Sequence, residues 1–200
     1  MLGALCLPAL FLALLSTGPF NPFDDSAAPA VQVRQLSGHA SRMRPLGWVE
    51  LLAAVLAIGV VLSFAGLTRG RGRGLGNAGV LLGTLGAAGM CLVAVGHWLF
   101  GALAGVPRAT AVGVLDRLDH VAGQAVLPLL MAMPVALLLL AAAGWRCGFV
   151  PPPAFGVMVL FFVGELVPGL PGGELIPLLV GLVGAVWVAT EVIRRPELSA

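Results

Sequence analysis

The sequence predicts an all-α fold: a polytopic membrane helix bundle of six transmembrane helices, forming a single transmembrane domain over residues 1–200. Three observations predict it. Hydrophobic residues make up 59% of the 200 residues and charged residues 10%, whereas a water-soluble domain carries about 25% charged residues. With a mean hydropathy of +1.03, the chain cannot cover a soluble surface with polar groups, and it is too apolar to remain disordered. The apolar residues also come in continuous runs, close to the about 20 that a helix needs to cross about 30 Å of hydrocarbon. They do not alternate with polar residues as in a membrane barrel, and an open strand would leave its backbone groups unpaired in lipid.

The first expected span, residues 1–20, is uncharged. It lacks the basic start of a secretory signal, so it is read as an uncleaved helix. Residues 21–44 are read as an outer loop. The second span, 45–67, holds Glu50 near its start, where the helix dipole favours a carboxylate. The third, 75–100, has no formal charge and is longer than the hydrocarbon is thick, so it must tilt or protrude. The fourth, 121–144, contains Pro128 and Pro134, which should kink it. The fifth, 149–167, holds Glu165 near its end, and the sixth, 174–193, holds Glu191 near its end.

Topology follows from charge. Residues 68–74 read TRGRGRG, and the density of Arg69, Arg71 and Arg73 makes this loop cytoplasmic. Alternation then places 101–120 outside, the turn at Arg146 inside, 167–173 outside, and Arg194 and Arg195 inside. The arginines divide six (69, 71, 73, 146, 194, 195) to five (34, 42, 44, 108, 117), so density beside the span ends decides the orientation. The expected location is the cell (inner) membrane of a bacterium, multi-pass, with both termini cytoplasmic. Arg69, Arg71, Arg73, Arg194 and Arg195 are the expected topology determinants, with attraction to anionic lipid head groups. A net charge of +2 leaves no nucleic-acid footprint.

Lipid gives helices no hydrophobic reason to associate, so small residues must let them pack closely. Gly76, Gly79, Gly83 and Gly86 recur at spacings of three, four and three, which is one face of a helix. They predict a compact bundle with the third span near its middle; a dimer face is the alternative use of the same stripe. Residues 74–79 match GxGxxG, but no strand precedes them, so these glycines are assigned to packing rather than to a dinucleotide.

The polar residues of the outer side are the candidate site. Asp116, Asp119 and His120 lie on one side of a short helix by their spacing of three and four. Glu50, Asp116, His120 and Glu165 are the catalytic candidates, as carboxylate and imidazole make acid/base pairs. His97, Asp116, Asp119 and His120 are the metal candidates. Glu165 sits in a last turn, where the dipole opposes a carboxylate, and so calls for a partner. The simpler reading is an interfacial helix, with Asp116 or Asp119 paired to Arg108 or Arg117. Cys6, Cys91 and Cys147 form neither a metal nor a disulfide pattern. No cofactor is expected.

The PFDDS segment at 22–26, GHASR at 38–42, RGRGRGLGNAGVLLGTLGAAG at 69–89, VLDRLDH at 114–120 and GWRCGFVPP at 144–152 carry a resemblance. With them the chain resembles a broad, uncharacterised group of six-span integral membrane proteins common in actinobacteria. The resemblance implies a six-helix bundle and assigns no residue a role. The expected function is therefore a non-enzymatic membrane scaffold, or an accessory or regulatory subunit. Its expected partners are the bilayer and a second copy or another membrane protein. A small transporter or export/immunity factor is the alternative, resting on Pro128, Pro134 and Glu165. A third reading is an intramembrane enzyme acting on a lipid or isoprenoid at the outer face.

Overall fold

The computed structural model describes residues 2–17, 28–68, 70–166 and 175–194, with side chains for all of these but 2, 3, 71 and 119–123. The all-α expectation holds among them. They form six α-helices: α1 Leu2–Thr17, α2 Pro29–Leu67, α3 Arg73–Leu103, α4 Arg108–Cys147, α5 Pro152–Leu166 and α6 Leu175–Arg194, with a 3-10 turn at Gly70–Gly72 before α3. Four are long and apolar enough to cross a membrane: α2, α3, the Gln124–Cys147 part of α4, and α6. The apolar helices α1 and α5 are shorter. Each expected span overlaps one helix, and four of the six helices are long and apolar enough to cross a membrane.

The largest departure from expectation lies in residues 29–44, read as loop and found as the first part of α2. Pro29 occupies the first turn, where its missing N–H costs nothing. Val33, Leu36, Ala40 and Met43 then recur at helical spacing. Leu36 and Met43 are buried. Pro45, taken as the start of a span, lies inside the helix and has no N–H to give the Ser41 carbonyl. An interior proline costs about 3 kcal/mol, so packing on both sides of it must hold the helix through. Residues 101–120 depart likewise: the connection shrinks to a turn at 104–107, and α4 runs unbroken from Arg108 through both Pro128 and Pro134. It ends at Gly148, whose φ of 84° lets its N–H return to the Gly144 and Trp145 carbonyls.

α2, α3 and α4 have 39, 31 and 40 residues, or about 58, 46 and 60 Å. Each therefore outruns a hydrocarbon layer of about 30 Å. Their surplus lies together at the end of the bundle opposite the Gly70–Gly72 turn. There Leu36, Leu103, Ala111 and Leu115 form a second small core, flanked by Val33, Phe100 and Val114. Arg108 spans the top, Nη2 donating to the Ala30 carbonyl at 3.5 Å. We call this three-helix part the ledge. Leu103→Ala should cost about 2–3 kcal/mol of ledge stability. Amide exchange over residues 30–44 should accelerate while that of residues 50–64 stays slow; uniform exchange would show that the ledge has no core of its own.

The main core draws on all six helices. Each helix packs on the next in sequence, α6 closes on α1, and α2 also touches α4. The arrangement is a closed ring, and this corrects the expectation that the third span lies near the middle: α3 packs principally on α2 and α4. Its glycines draw both neighbours to one face. A Cβ on Gly79 would meet Leu140, one on Gly83 would meet Val61, and one on Gly86 would meet Met133. The opposite face of α3, with Leu81, Leu85, Leu92 and Val95, is exposed.

Candidate functional site

Helical register fixes the depth of each polar side chain. α2 and α3 run antiparallel: Met43 lies by Gly101, Gly47 by Trp98, Val61 by Gly83 and Thr68 by Gly76. α3 and α4 do the same, with Gly89 by Leu129, Gly86 by Met133 and Gly79 by Leu140. α1 lies along α2 with Cys6 by Gly59 and Thr17 by Glu50.

Glu50 is 9% exposed. A buried carboxyl needs a hydrogen-bond partner, and the Thr17 side chain of α1 is that partner. The Thr17 hydroxyl donates its proton to the Leu14 carbonyl at 2.9 Å, which holds its oxygen at the last turn of α1, beside the acid. On α5, Glu165 is half-buried one turn beyond Phe161, whose ring lies 5.0 Å from that of Phe11. Thr17, Glu50 and Glu165 thus share the end of the bundle nearer the ledge.

The other candidates lie elsewhere. His97 is 8% exposed, and its Nδ1–H donates to the Val93 carbonyl of its own helix at 3.1 Å. Asp116 is exposed on the ledge. It follows Leu115, which packs at the level of Leu36, so fourteen residues of α2, about 20 Å, separate it from Glu50. Glu50 and Asp116 therefore do not meet in one pocket. The side chains of Asp119 and His120 lie outside the described residues, as does Glu174. Among the described residues no group of three or more His, Cys, Asp and Glu is placed to hold a metal.

The hydroxyls of the spans are occupied by their own helices. Ser63 donates to the Gly59 carbonyl at 2.6 Å, Thr84 to Val80 at 2.9 Å and Thr190 to Val186 at 2.8 Å. At the other end, Arg73, Arg146 and Arg194 are exposed, and Arg194 stands 3.9 Å from Glu191. Arg69, Arg71 and Arg195 fall outside the described side chains. Gly76, Gly79, Gly83 and Gly86 are all buried in helix contacts.

The structure also assembles a site that the outer acids and histidines did not point to. A cavity of about 590 Å³ opens between α2 and α3, lined by Ser41, Arg44 and Trp48 of α2 and by Trp98, Gly101 and Ala102 of α3. The indoles of Trp48 and Trp98 meet edge-on at 5.1 Å. The Nε1 edge of the Trp98 indole packs against α2 because residue 47 is a glycine: any Cβ there would strike it. Its Nε1–H donates to the Arg44 carbonyl at 3.3 Å. Arg44 had been counted only for topology. The signal that could have found the site is the pair of tryptophans at the ends of two spans, where membrane proteins carry their aromatic belts. None of Glu50, His97, Asp116 or Glu165 lines this cavity. No family model, curated protein or solved structure matches the chain.

Proposed function

We propose that the chain is a multi-pass protein of a bacterial cell membrane. In this reading α1 and α5 cross the bilayer together with the four longer helices, and both termini are cytoplasmic. It acts as a non-enzymatic scaffold or accessory subunit that presents the ledge to a partner on the outer side. The observation that carries this reading is the joint overrun of α2, α3 and α4 with a hydrophobic core of its own. Helices that merely span need no such extension, and a packed platform above the lipid is a surface on which another protein can rest.

Further observations agree with it. The ledge exposes Arg34, Arg42, Arg108, Asp116 and Arg117, a mixed and mainly basic surface suited to charge-steered contact. Asp116 stands about 20 Å from Glu50 along α2, which favours the scaffold reading over an enzyme that would draw on Glu50, Asp116, His120 and Glu165 together. Ser63 and Thr84 are bonded to their own helices, which favours helix packing over solute contact as their role. The orientation rests on Arg69, Arg71 and Arg73 at the turn opposite the ledge, and the six-span resemblance accords with it.

The test is photocrosslinking in native membranes from single sites. A benzophenone at Ser37 or Gly113, both exposed on the ledge, should yield one discrete protein adduct, either a partner subunit or a second copy of the chain. The same probe at Leu81, on the exposed face of α3, should yield lipid adducts. Ledge sites that yield no protein adduct would overturn the scaffold reading.

A further inference from the structure

The cavity between α2 and α3 sits at a definable height. On the membrane reading, which this inference takes as its premise, the lower polar boundary lies at Thr68 on α2 and at Gly76, which faces it, on α3. About 20 residues then cross the hydrocarbon, which brings the upper boundary to Trp48 on α2 and to the turn ending at Trp98 on α3. Arg44 lies one turn higher, and the cavity straddles the line between acyl chains and head groups.

Three features define what fits there. Arg44 is exposed and has no ion-pair partner among the described residues. The nearest acid on its helix, Glu50, is turned to Thr17 of α1. The Ser41 hydroxyl stands one turn above Arg44 on the same face and can bond an anionic oxygen beside the guanidinium. The volume, about 590 Å³, exceeds a free phosphate, which fills on the order of 150 Å³ if each of its five heavy atoms takes the roughly 30 Å³ of a water molecule. Below the cavity the α2 side of the groove continues apolar and exposed through Leu52 and Val55.

We infer that this cavity is a binding site for one anionic phospholipid of the outer leaflet. Its phosphodiester lies on the Arg44 guanidinium and the Ser41 hydroxyl, its glycerol rests on the Trp48–Trp98 pair, and its acyl chains run down the α2 side of the groove. A guanidinium matches phosphate geometry through paired N–H donors, and indoles suit the ester region because one edge of the ring is polar and the rest apolar. The site is distinct from the arginines of the opposite end, which attract head groups as a diffuse charge. Gly47 and Gly101 shape it, one admitting the Trp98 indole and the other keeping α2 and α3 close.

Native mass spectrometry of the full chain in mild detergent tests this, with phosphatidylglycerol and phosphatidylcholine of matched acyl chains as probes. One phosphatidylglycerol should be retained per chain, and phosphatidylcholine more weakly by about tenfold. Arg44→Gln should lose about tenfold in phosphatidylglycerol affinity, as expected for one charge-assisted contact, while Arg117→Gln on the ledge should lose nothing. The Arg44 backbone carbonyl survives that change, so the Trp98 hydrogen bond and the fold are kept. Ala102→Leu, which fills the cavity without touching a charge, should lower retention as well. Equal retention of the two lipids, wild-type retention by Arg44→Gln, or displacement of the lipid by millimolar inorganic phosphate would each overturn the site. Membrane fractions stripped with alkaline carbonate check the premise separately: release of the chain without detergent would overturn the membrane reading itself, whichever lipid is retained.

Discussion

Gly86→Val is expected to pull α3 away from α4 and leave little folded protein. A Cβ at position 86 would stand 2.8 Å from the Met133 amide nitrogen and 2.9 Å from its Cα. Backbone cannot rotate out of the way, so the whole helix must retreat, and every neighbouring contact along the seam loosens with it. Gly83 differs, because what a Cβ would strike there is a Val61 side-chain methyl rather than backbone, so one side chain can shift without the helix retreating. Overpacking of a tight core costs about 1–3 kcal/mol, occasionally more, and Gly86→Val belongs at or above the top of that range. In lipid the loss is felt directly, since no gain from burial stands behind the packing. Gly96→Ala is the internal standard: nothing lies within 4 Å of its Cβ position, and the helix gains about 1 kcal/mol of propensity. Unfolding in mixed micelles should therefore order the variants Gly96→Ala, wild type, Gly83→Ala, Gly86→Val from most to least stable. A Gly86→Val midpoint equal to that of the wild type would show that the seam is looser than its geometry.

Phe11→Ala should open the other side of the ring. Phe11 is fully buried, meets Phe161 of α5 edge-on at 5.0 Å and lies so close to Gly181 of α6 that no Cβ fits there. One ring thus joins α1, α5 and α6. In a water-soluble core the change costs about 3–5 kcal/mol. On the proposed membrane reading the displaced surface meets hydrocarbon in both states, so the transfer part falls away. The cavity and the aromatic pair remain, the latter worth about 0.5–1.5 kcal/mol, and about 2–3 kcal/mol in all is expected. Cys6 reports the event, since its Sγ packs against Gly59 of α2. Its maleimide labelling should rise together with the loss of thermal stability, while Cys91 on α3 should label as before. Unchanged labelling at Cys6 would show that α1 is held by its contact with α2 alone.

How much of this was legible follows from what each residue pattern reports. The α3 glycines were legible as a packing face, because spacings of three and four can mean nothing else on a helix. Which neighbours they would meet was not, since a helix face carries no address; their position at one side of the ring follows from α2 and α4 both turning inward on them. Residues 29–44 were misread because Pro45 and the arginines at 34, 42 and 44 look like the edge of a span. The spacing of Val33, Leu36, Ala40 and Met43 recorded a helix, but its apolar stripe is narrow and the strongly apolar run behind it dominated. Glu50 was recognisable as a polar residue near a span end. That it faces Thr17 rather than Asp116 depends on the pairing of α1 with α2 at long range. The arginine–tryptophan cavity was the least legible part: Arg44, Trp48 and Trp98 carry no motif, and the site exists only where two antiparallel helices bring them together across a glycine.

The closure of the ring between its first and last helices has a consequence for biogenesis. Leu7, Leu10 and Phe11 of α1 are buried against a core to which α6 contributes Leu178, Ala185 and Val188. On the proposed membrane reading, α1 enters the bilayer long before α6 is synthesised. Until then its inward face has only half a binding partner, in the form of α2. Final assembly must therefore wait until α6 itself has been made. A nascent chain arrested before residue 175 carries an unsealed flank, the state most open to quality-control proteases and to wrong partners in the membrane.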